Sequence, residues 1–230
     1  MRRFVLIPAA GSGSRLAAAL PKQYLDLAGQ PLLARTLSVF CHRADIDGIW
    51  VVLAPDDIHY SRQVGPLDRV SVLRCGGATR AESVRNGLEA ISAVAAVDDW
   101  VLVHDAARPC LAQSDIDRLL REIGDDPIGG LLALPIADTL KRADTAARVH
   151  ETVAREGLWA AQTPQMFRFG LLRQALSTPQ AMVATDEAQA IEALGLSPRL
   201  VRGSVRNLKV TYAEDLILAD RLLEGRDPCA

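Results

Sequence analysis

Residues 4–22, FVLIPAAGSGSRLAAALPK, constrain the fold more than any other part of the chain. Phe4-Val5-Leu6-Ile7 is a short apolar run, which reads as a buried strand. It breaks at once into Pro8-Ala9-Ala10-Gly11-Ser12-Gly13-Ser14-Arg15. Two glycines with small neighbours let backbone N–H groups point outward and come close to an anion. Arg15 adds a planar guanidinium suited to phosphate oxygens, and Lys22, just past Pro21, adds a compact second cation. A strand, a glycine turn, an Arg and then a Lys supply what a triphosphate needs.

Known loops fit this stretch unequally. A dinucleotide site asks for G-x-G-x-x-G opening a helix, and Leu16 stands where the third glycine belongs. A phosphate loop ending in Gly-Lys asks for a pair that the chain lacks. The glycines alone also suit an ordinary strand-to-helix turn. The whole pattern, P-A-A-G-x-G-x-R followed by P-K-Q-Y, resembles the nucleotidyltransferases that join a nucleoside triphosphate to a phosphorylated alcohol or sugar. With P-K-Q it closely resembles the 2-C-methyl-D-erythritol 4-phosphate cytidylyltransferase family.

With 230 residues, 49% hydrophobic and 23% charged, the chain is long enough for one sizeable core. A net charge of −2 gives no basic field for nucleic acid, so phosphate must be held by local Arg and Lys clusters. Cys41, Cys75, Cys110 and Cys229 are scattered and show no metal spacing, so they read as reduced thiols and no protein metal site is expected. The apolar run before Pro8 is too short for a signal segment, and no stretch approaches a membrane span. The expected location is the cytoplasm, away from membranes.

Further along, apolar runs at residues 49–53, 70–73, 100–103 and 131–136 read as strands. Helical spacing marks about 31–41, with Pro31 at a first helical position, and a helix opened by Ser114. Thr79 with Glu82, and Thr211 with Glu214, read as capping boxes. The turn Gln162-Thr163-Pro164-Gln165 precedes a helix at about 171–176. Another helix opens at Thr185-Asp186-Glu187 and stops at Gly195. Residues 199–201 are a late strand, and Asn207-Leu208-Lys209-Val210 is a short extended piece. Residues 177–183 carry no readable signal. Alternating strands and helices, with strands apolar throughout, predict an α/β chain whose parallel sheet is covered on both faces. The resemblance narrows this to a Rossmann-like, mostly parallel nucleotidyltransferase fold. Residues 137–155 are polar, with two β-like pieces, and read as a projecting hairpin arm on a single domain.

Ligands of such sheets bind outside the carboxyl ends of the strands. The first loop, Gly76-Gly77 through Ser83, and His104-Asp105-Ala106-Ala107-Arg108-Pro109 all lie there. Asp105 and Arg108 read either as an ordinary ion pair or as ligands, Asp105 of a substrate hydroxyl or a metal–phosphate cluster and Arg108 of the substrate phosphate. The resemblance assigns nucleotide contacts to Pro8, Ala9, Ala10, Gly11, Gly13, Arg15, Lys22, Gly76, Gly77, Ser83, Asp105 and Ala106. It puts cytosine against the short Gly76-Gly77 turn. It assigns the second substrate to Asp105, Arg108, Thr163 and Lys209, with Thr139 and Arg155 reaching over from the arm of a second subunit.

The implied reaction joins CTP to 2-C-methyl-D-erythritol 4-phosphate, an alcohol phosphate. Arg15, Lys22 and Lys209 stabilise charge, and Mg²⁺ is held mainly by the triphosphate. The implied assembly is a homodimer made through the arm. Ribitol-5-phosphate cytidylyltransferases share the fold and much of the loop. A nucleotide-sensing module without turnover and, more distantly, a dehydrogenase are the readings from other classes.

Overall fold

The computed structural model describes residues 1–11 and 20–224. The chain forms β1 (Arg3–Pro8), a 3₁₀ turn (Lys22–Tyr24), a small hairpin of β2 (Asp26–Leu27) and β3 (Gln30–Pro31), and α1 (Leu32–Cys41). Next come β4 (Gly48–Val52), α2 (Tyr60–Gln63), β5 (Val70–Leu73), α3 (Arg80–Ala90), β6 (Trp100–Val103) and α4 (Gln113–Ile123). Then follow β7 (Gly129–Pro135), β8 (Leu140–Ala143), β9 (Val149–Val153), β10 (Trp159–Arg168), α5 (Phe169–Leu176), a 3₁₀ turn (Pro179–Val183), α6 (Glu187–Glu192), β11 (Arg199–Arg202) and α7 (Ala213–Glu224).

Seven strands form one sheet in the order β11-β7-β10-β6-β1-β4-β5. β1 runs parallel to β4 and β6, β4 to β5, and β11 to β7. Only β10 runs against its neighbours, β6 and β7. The strands read as unbroken apolar runs because both faces of the sheet are covered. Val5, Ile7 and Leu102 pack with Leu37, Phe40 and Ile116 of α1 and α4. Their chain neighbours Phe4, Leu6, Val101 and Val103 pack on the other face with Val84, Leu172 and Ile191 of α3, α5 and α6.

Some boundaries differ from the sequence expectation. The T-P-Q segment is not a turn between elements. It is a bulge inside β10, where the pairing to β7 shifts between Ala161 and Gln165. Pro31 precedes α1 at its cap and ends β3. Ser114 lies within the first turn of α4, and Ala112 occupies the cap. The box at residue 79 forms, since Thr79 Oγ1 accepts the Glu82 N–H, but Glu82 reaches back to the Ala78 N–H. Before α7 the returning carboxylate is Asp215, which accepts the N–H groups of Thr211 and Tyr212; Glu214 does not take that part. Residues 207–210 join no ladder.

The arm forms as a separate two-stranded sheet of β8 and β9. Leu140 faces Val153, and Arg142 faces Glu151 with an ion pair of 2.7 Å. Asp144 closes its turn by accepting the N–H groups of Ala146 and Arg148. Nearly every arm residue is exposed.

Candidate active site

The site lies beyond the carboxyl ends of β1, β5 and β6. After β1, the Ala9 N–H continues the ladder by donating to the Val52 carbonyl at 2.8 Å. Gln23 Nε2 donates to the Ala9 carbonyl at 2.9 Å and ties the first loop to the 3₁₀ turn that carries Lys22. Lys22 Nζ in turn donates to the Val210 carbonyl at 2.6 Å. Gly76 seats its own turn by donating to the Leu53 carbonyl, and Ser83 Oγ accepts the Gly77 N–H at 3.0 Å. The Ser83 hydroxyl also donates to the Thr79 carbonyl at 2.9 Å, so it braces the turn.

These pieces enclose a cleft of about 660 Å³. Of the expected nucleotide contacts, Pro8, Ala10, Gly11, Lys22, Gly77, Ser83, Asp105 and Ala106 line it, and Lys209 lines it too. Ala9 and Gly76 are not among its lining residues and act from behind. Gly13 and Arg15 lie outside the described residues. Ala78, Thr79, Arg80 and Ala107 complete the wall.

A second cavity of about 200 Å³ adjoins it, lined by Arg108, Thr163, Gln162, Gln165 and Asp186. Arg80, Asp105 and Lys209 line both cavities. They meet on one carboxylate: Arg80 Nε lies 2.9 Å from Asp105 Oδ1, and Lys209 Nζ lies 2.8 Å from Oδ2. Arg108 Nε stands 3.6 Å from that same oxygen. Burial alone would raise the Asp105 carboxyl, but the charges of Arg80, Lys209 and Arg108 outweigh it and hold the group well below the usual carboxylate range.

Thr163 reaches this cluster because of the β10 bulge. Its Oγ1 accepts the Asp105 N–H at 3.0 Å and lies 2.9 Å from His104 Nδ1. His104 Nε2 faces the Arg108 carbonyl at 3.1 Å, an acceptor only, so Nε2 carries the proton. Nδ1 is then the acceptor, and the Thr163 hydroxyl donates to it. Complete burial pushes His104 down to about 4, which keeps the ring neutral. Asn207, also fully buried, donates from Nδ2 to the Thr163 carbonyl, and its own carbonyl accepts from Arg108 Nη1 at 2.6 Å.

Sequence reasoning gave no role to His104, Asn207, Arg80 or Glu187. Arg80 grips Glu187 through two bonds, of 2.6 and 3.0 Å. Its place just after the glycine turn was the only available signal. Thr139 and Arg155 line neither cavity; both are exposed on the arm, where Arg155 Nη1 donates to the Ala137 carbonyl.

Among the described residues, Asp105 is the only carboxylate on the wall of the larger cleft, and its two oxygens already face Arg80 and Lys209. The described residues form no group of three or more metal-ligating side chains. This donor set suits phosphates rather than a protein-held cation.

A glycine-turn cleft beside a cavity that holds Arg80, Arg108 and Lys209, on a mostly parallel sheet, suits a nucleotidyltransferase. The model of the family IspD, 2-C-methyl-D-erythritol 4-phosphate cytidylyltransferase, matches residues 4–225, and the chain belongs to that family. A protein of that name from Dechloromonas aromatica is 57% identical, over 98% of this chain and 99% of its own. Another from Laribacter hongkongensis is 59% identical, over 96% of both chains. The crystal structure of a 4-diphosphocytidyl-2C-methyl-D-erythritol synthase superimposes with a TM-score of 0.86 at 42% identity, covering 96% of this chain and 98% of the other. The Francisella tularensis cytidylyltransferase gives 0.83 at 36% identity, over 96% and 100%.

Proposed function

We propose that the two cavities divide the substrates of this cytidylyltransferase: CTP in the larger cleft and 2-C-methyl-D-erythritol 4-phosphate in the smaller. The reaction yields the CDP-alcohol and pyrophosphate, a step of non-mevalonate isoprenoid precursor synthesis. The observation that carries the division is the shared wall of Arg80, Asp105 and Lys209. A phosphorus atom at that wall is reachable from both sides.

The attacking oxygen belongs to the substrate phosphate, already an anion, so no general base is required. Its bond to the α-phosphorus forms as the α–β bridging bond breaks, and pyrophosphate leaves in line. Transfers of this kind depend on positioning and on charge stabilisation. Lys22 and Lys209, with Arg15, stabilise the charge that develops on the phosphate oxygens. Arg108 holds the incoming phosphate, and Asp105 accepts a hydroxyl hydrogen of the polyol. Mg²⁺ bound to the triphosphate would neutralise phosphate charge, with the triphosphate rather than the protein supplying most of its oxygens.

The exposed arm supports a homodimer in which Thr139 and Arg155 serve the partner's smaller cavity. No helix among the described residues is long and apolar enough to cross a membrane. Our reading puts the reaction in the cytoplasm because its CTP comes from the nucleoside triphosphate pool there. Pyrophosphate release with CTP, UTP, ATP and GTP, each against methylerythritol and ribitol phosphates, tests the reading. Turnover should centre on CTP with the methylerythritol phosphate. Preference for ribitol phosphate, or binding without pyrophosphate release, would overturn it.

A further inference from the structure

Lys209 is counted on to meet phosphate, yet its ammonium lies on Asp105. Lys209 Nζ has three N–H groups, and turning them toward a phosphate weakens its hold on that carboxylate. Asp105, 7% exposed at a buried junction, then keeps less of one of its close cations. A carboxylate left that way either takes up a proton or recaptures the lysine. Either outcome opposes substrate binding.

The structure offers a second partner that need not move. Arg80 holds Asp105 Oδ1 through Nε, and its far edge is clamped on both oxygens of Glu187. Glu187 is 1% exposed, at the start of α6. Its neighbourhood is built: Gln165 Oε1 accepts the Ala188 N–H, and Gln165 Nε2 donates to Asp186, which caps α6. Burial pushes the Glu187 carboxyl up, and Arg80 counters that; nearby Asp105 and Asp186 push it further up. Three of the five guanidinium N–H groups are thus committed, to two carboxylates from separate elements.

We infer that Glu187 and Arg80 are positioning residues that keep Asp105 in place and charged when Lys209 turns from it toward the substrate phosphate. Glu187 fixes the guanidinium, the guanidinium fixes Asp105, and Lys209 becomes free to turn toward a phosphate. Arg108 cannot replace Arg80, because it stands 3.6 Å from Asp105 and its Nη1 is held by the Asn207 carbonyl. The same link ties the first residue of α3, at the nucleotide turn, to the floor of the smaller cavity. The inference rests on the reading that this cavity takes the polyol phosphate.

Glu187→Gln keeps the shape and removes the charge. Arg80→Lys keeps a cation but cannot bridge two carboxylates. Both are compared with Arg108→Ala in the full-length enzyme, and folding is verified by circular dichroism and thermal melting. Glu187→Gln should raise KM for the polyol phosphate on the order of tenfold or more, the scale of one charged hydrogen bond, while KM for CTP changes about twofold or less. Arg80→Lys should fall between Glu187→Gln and Arg80→Met. The groups facing Asp105 are Arg80, Arg108, Lys209 and the neutral His104, with Glu187 and Asp186 behind. With Arg80 removed, the acid limb of kcat/KM for the polyol phosphate should move to higher pH. A merely structural Glu187 would lower the melting temperature and leave this split and this limb unchanged, which would overturn the inference. If Arg108→Ala also leaves KM for the polyol phosphate unchanged, the cavity assignment itself fails. If Arg108→Ala raises it and Glu187→Gln does not, only the positioning role fails.

Discussion

Gly76 approaches Ala10 so closely that a Cβ on Gly76 would lie 2.3 Å from the Ala10 Cβ and 2.7 Å from the Leu53 carbonyl oxygen. The turn after β5 and the loop after β1 are therefore packed backbone to side chain. Ala10 lines the larger cleft, and Gly76 touches it from behind. Gly77 is confined by a side chain rather than by backbone, since its added Cβ would lie 2.2 Å from Glu82 Cγ. The glycines matter here for close approach, which an anion-binding loop and a base-reading turn both demand.

Gly76→Ala should therefore push the two loops apart. Overpacking at such a contact costs about 1–3 kcal/mol of stability. The expected result is a folded protein with a lower melting temperature and a raised KM for CTP. Titration of CTP against the variant checks it, and wild-type affinity would show that the contact does not set the cleft.

The same turn should choose the base. Its Ser83 hydroxyl donates to Thr79 and accepts from Gly77, which leaves one oxygen lone pair, beside the backbone groups of a short turn, to meet a base. kcat/KM for CTP should exceed that for ATP or GTP on the order of a hundredfold or more. Comparable use of ATP would show that the base is read elsewhere.

Lys22 projects from the 3₁₀ turn into the cleft and touches the Val210 carbonyl, one residue past Lys209. Lys22→Ala should lower turnover on the order of a hundredfold or more, the effect of losing one preorganised charge donor. Near-normal kcat in a folded variant would remove Lys22 from the chemistry.

The layered sheet was legible because both members of each strand pair, Val5 with Leu6 and Val51 with Val52, are buried on opposite faces. The sequence put Asp105 and Arg108 at a strand end, but that place alone left open whether they pair with each other or meet a ligand; in the structure they stand 3.6 Å apart. The T-P-Q bulge was not legible, because bulges and turns use the same residue types and only pairing separates them. Glu214 stood in the expected box because a cap at Thr211 starts the helix one residue early; α7 starts at Ala213, which hands the return to Asp215. The Arg80–Glu187 pair is separated by 107 positions, so no local pattern encodes it.

His104 predicts an acid-sensitive step in stability. An unfolded imidazole titrates near 6.5, and the buried one near 4. Between those values the unfolded state binds the extra proton. The contribution is thus fully present above about pH 6.5 and is lost as pH falls toward 4, amounting to roughly 3 kcal/mol. Glu187 works in the opposite sense, because its raised carboxyl favours the folded state as pH falls. The comparison is therefore between wild type and His104→Asn. Denaturant unfolding should show a flatter pH dependence for the variant between pH 4 and 6.5, and equal slopes would show that His104 is not the buried neutral group.

The arm gives the last prediction. Its strands pair only with each other, and nearly all of its side chains are exposed. A two-stranded ribbon is marginal alone, so it should pack on a partner, and a two-fold dimer is the commonest closed arrangement. If arms exchange, Thr139 and Arg155 of one chain complete the cavity formed by Arg108 and Lys209 of the other. Arg155→Ala and Lys209→Ala should each be nearly inactive as homodimers, because every site then carries one defect. In a mixed dimer one site carries both defects and the other carries neither. Random mixing makes about half the dimers mixed, so roughly a quarter of all sites regain every residue. Activity should rise toward that fraction after subunit exchange. Were each site built from one chain, every site would keep one defect and mixing would restore nothing. Absence of recovery after exchange, verified with differently tagged chains, would rule out the shared site. A monomer at assay concentration would remove its premise.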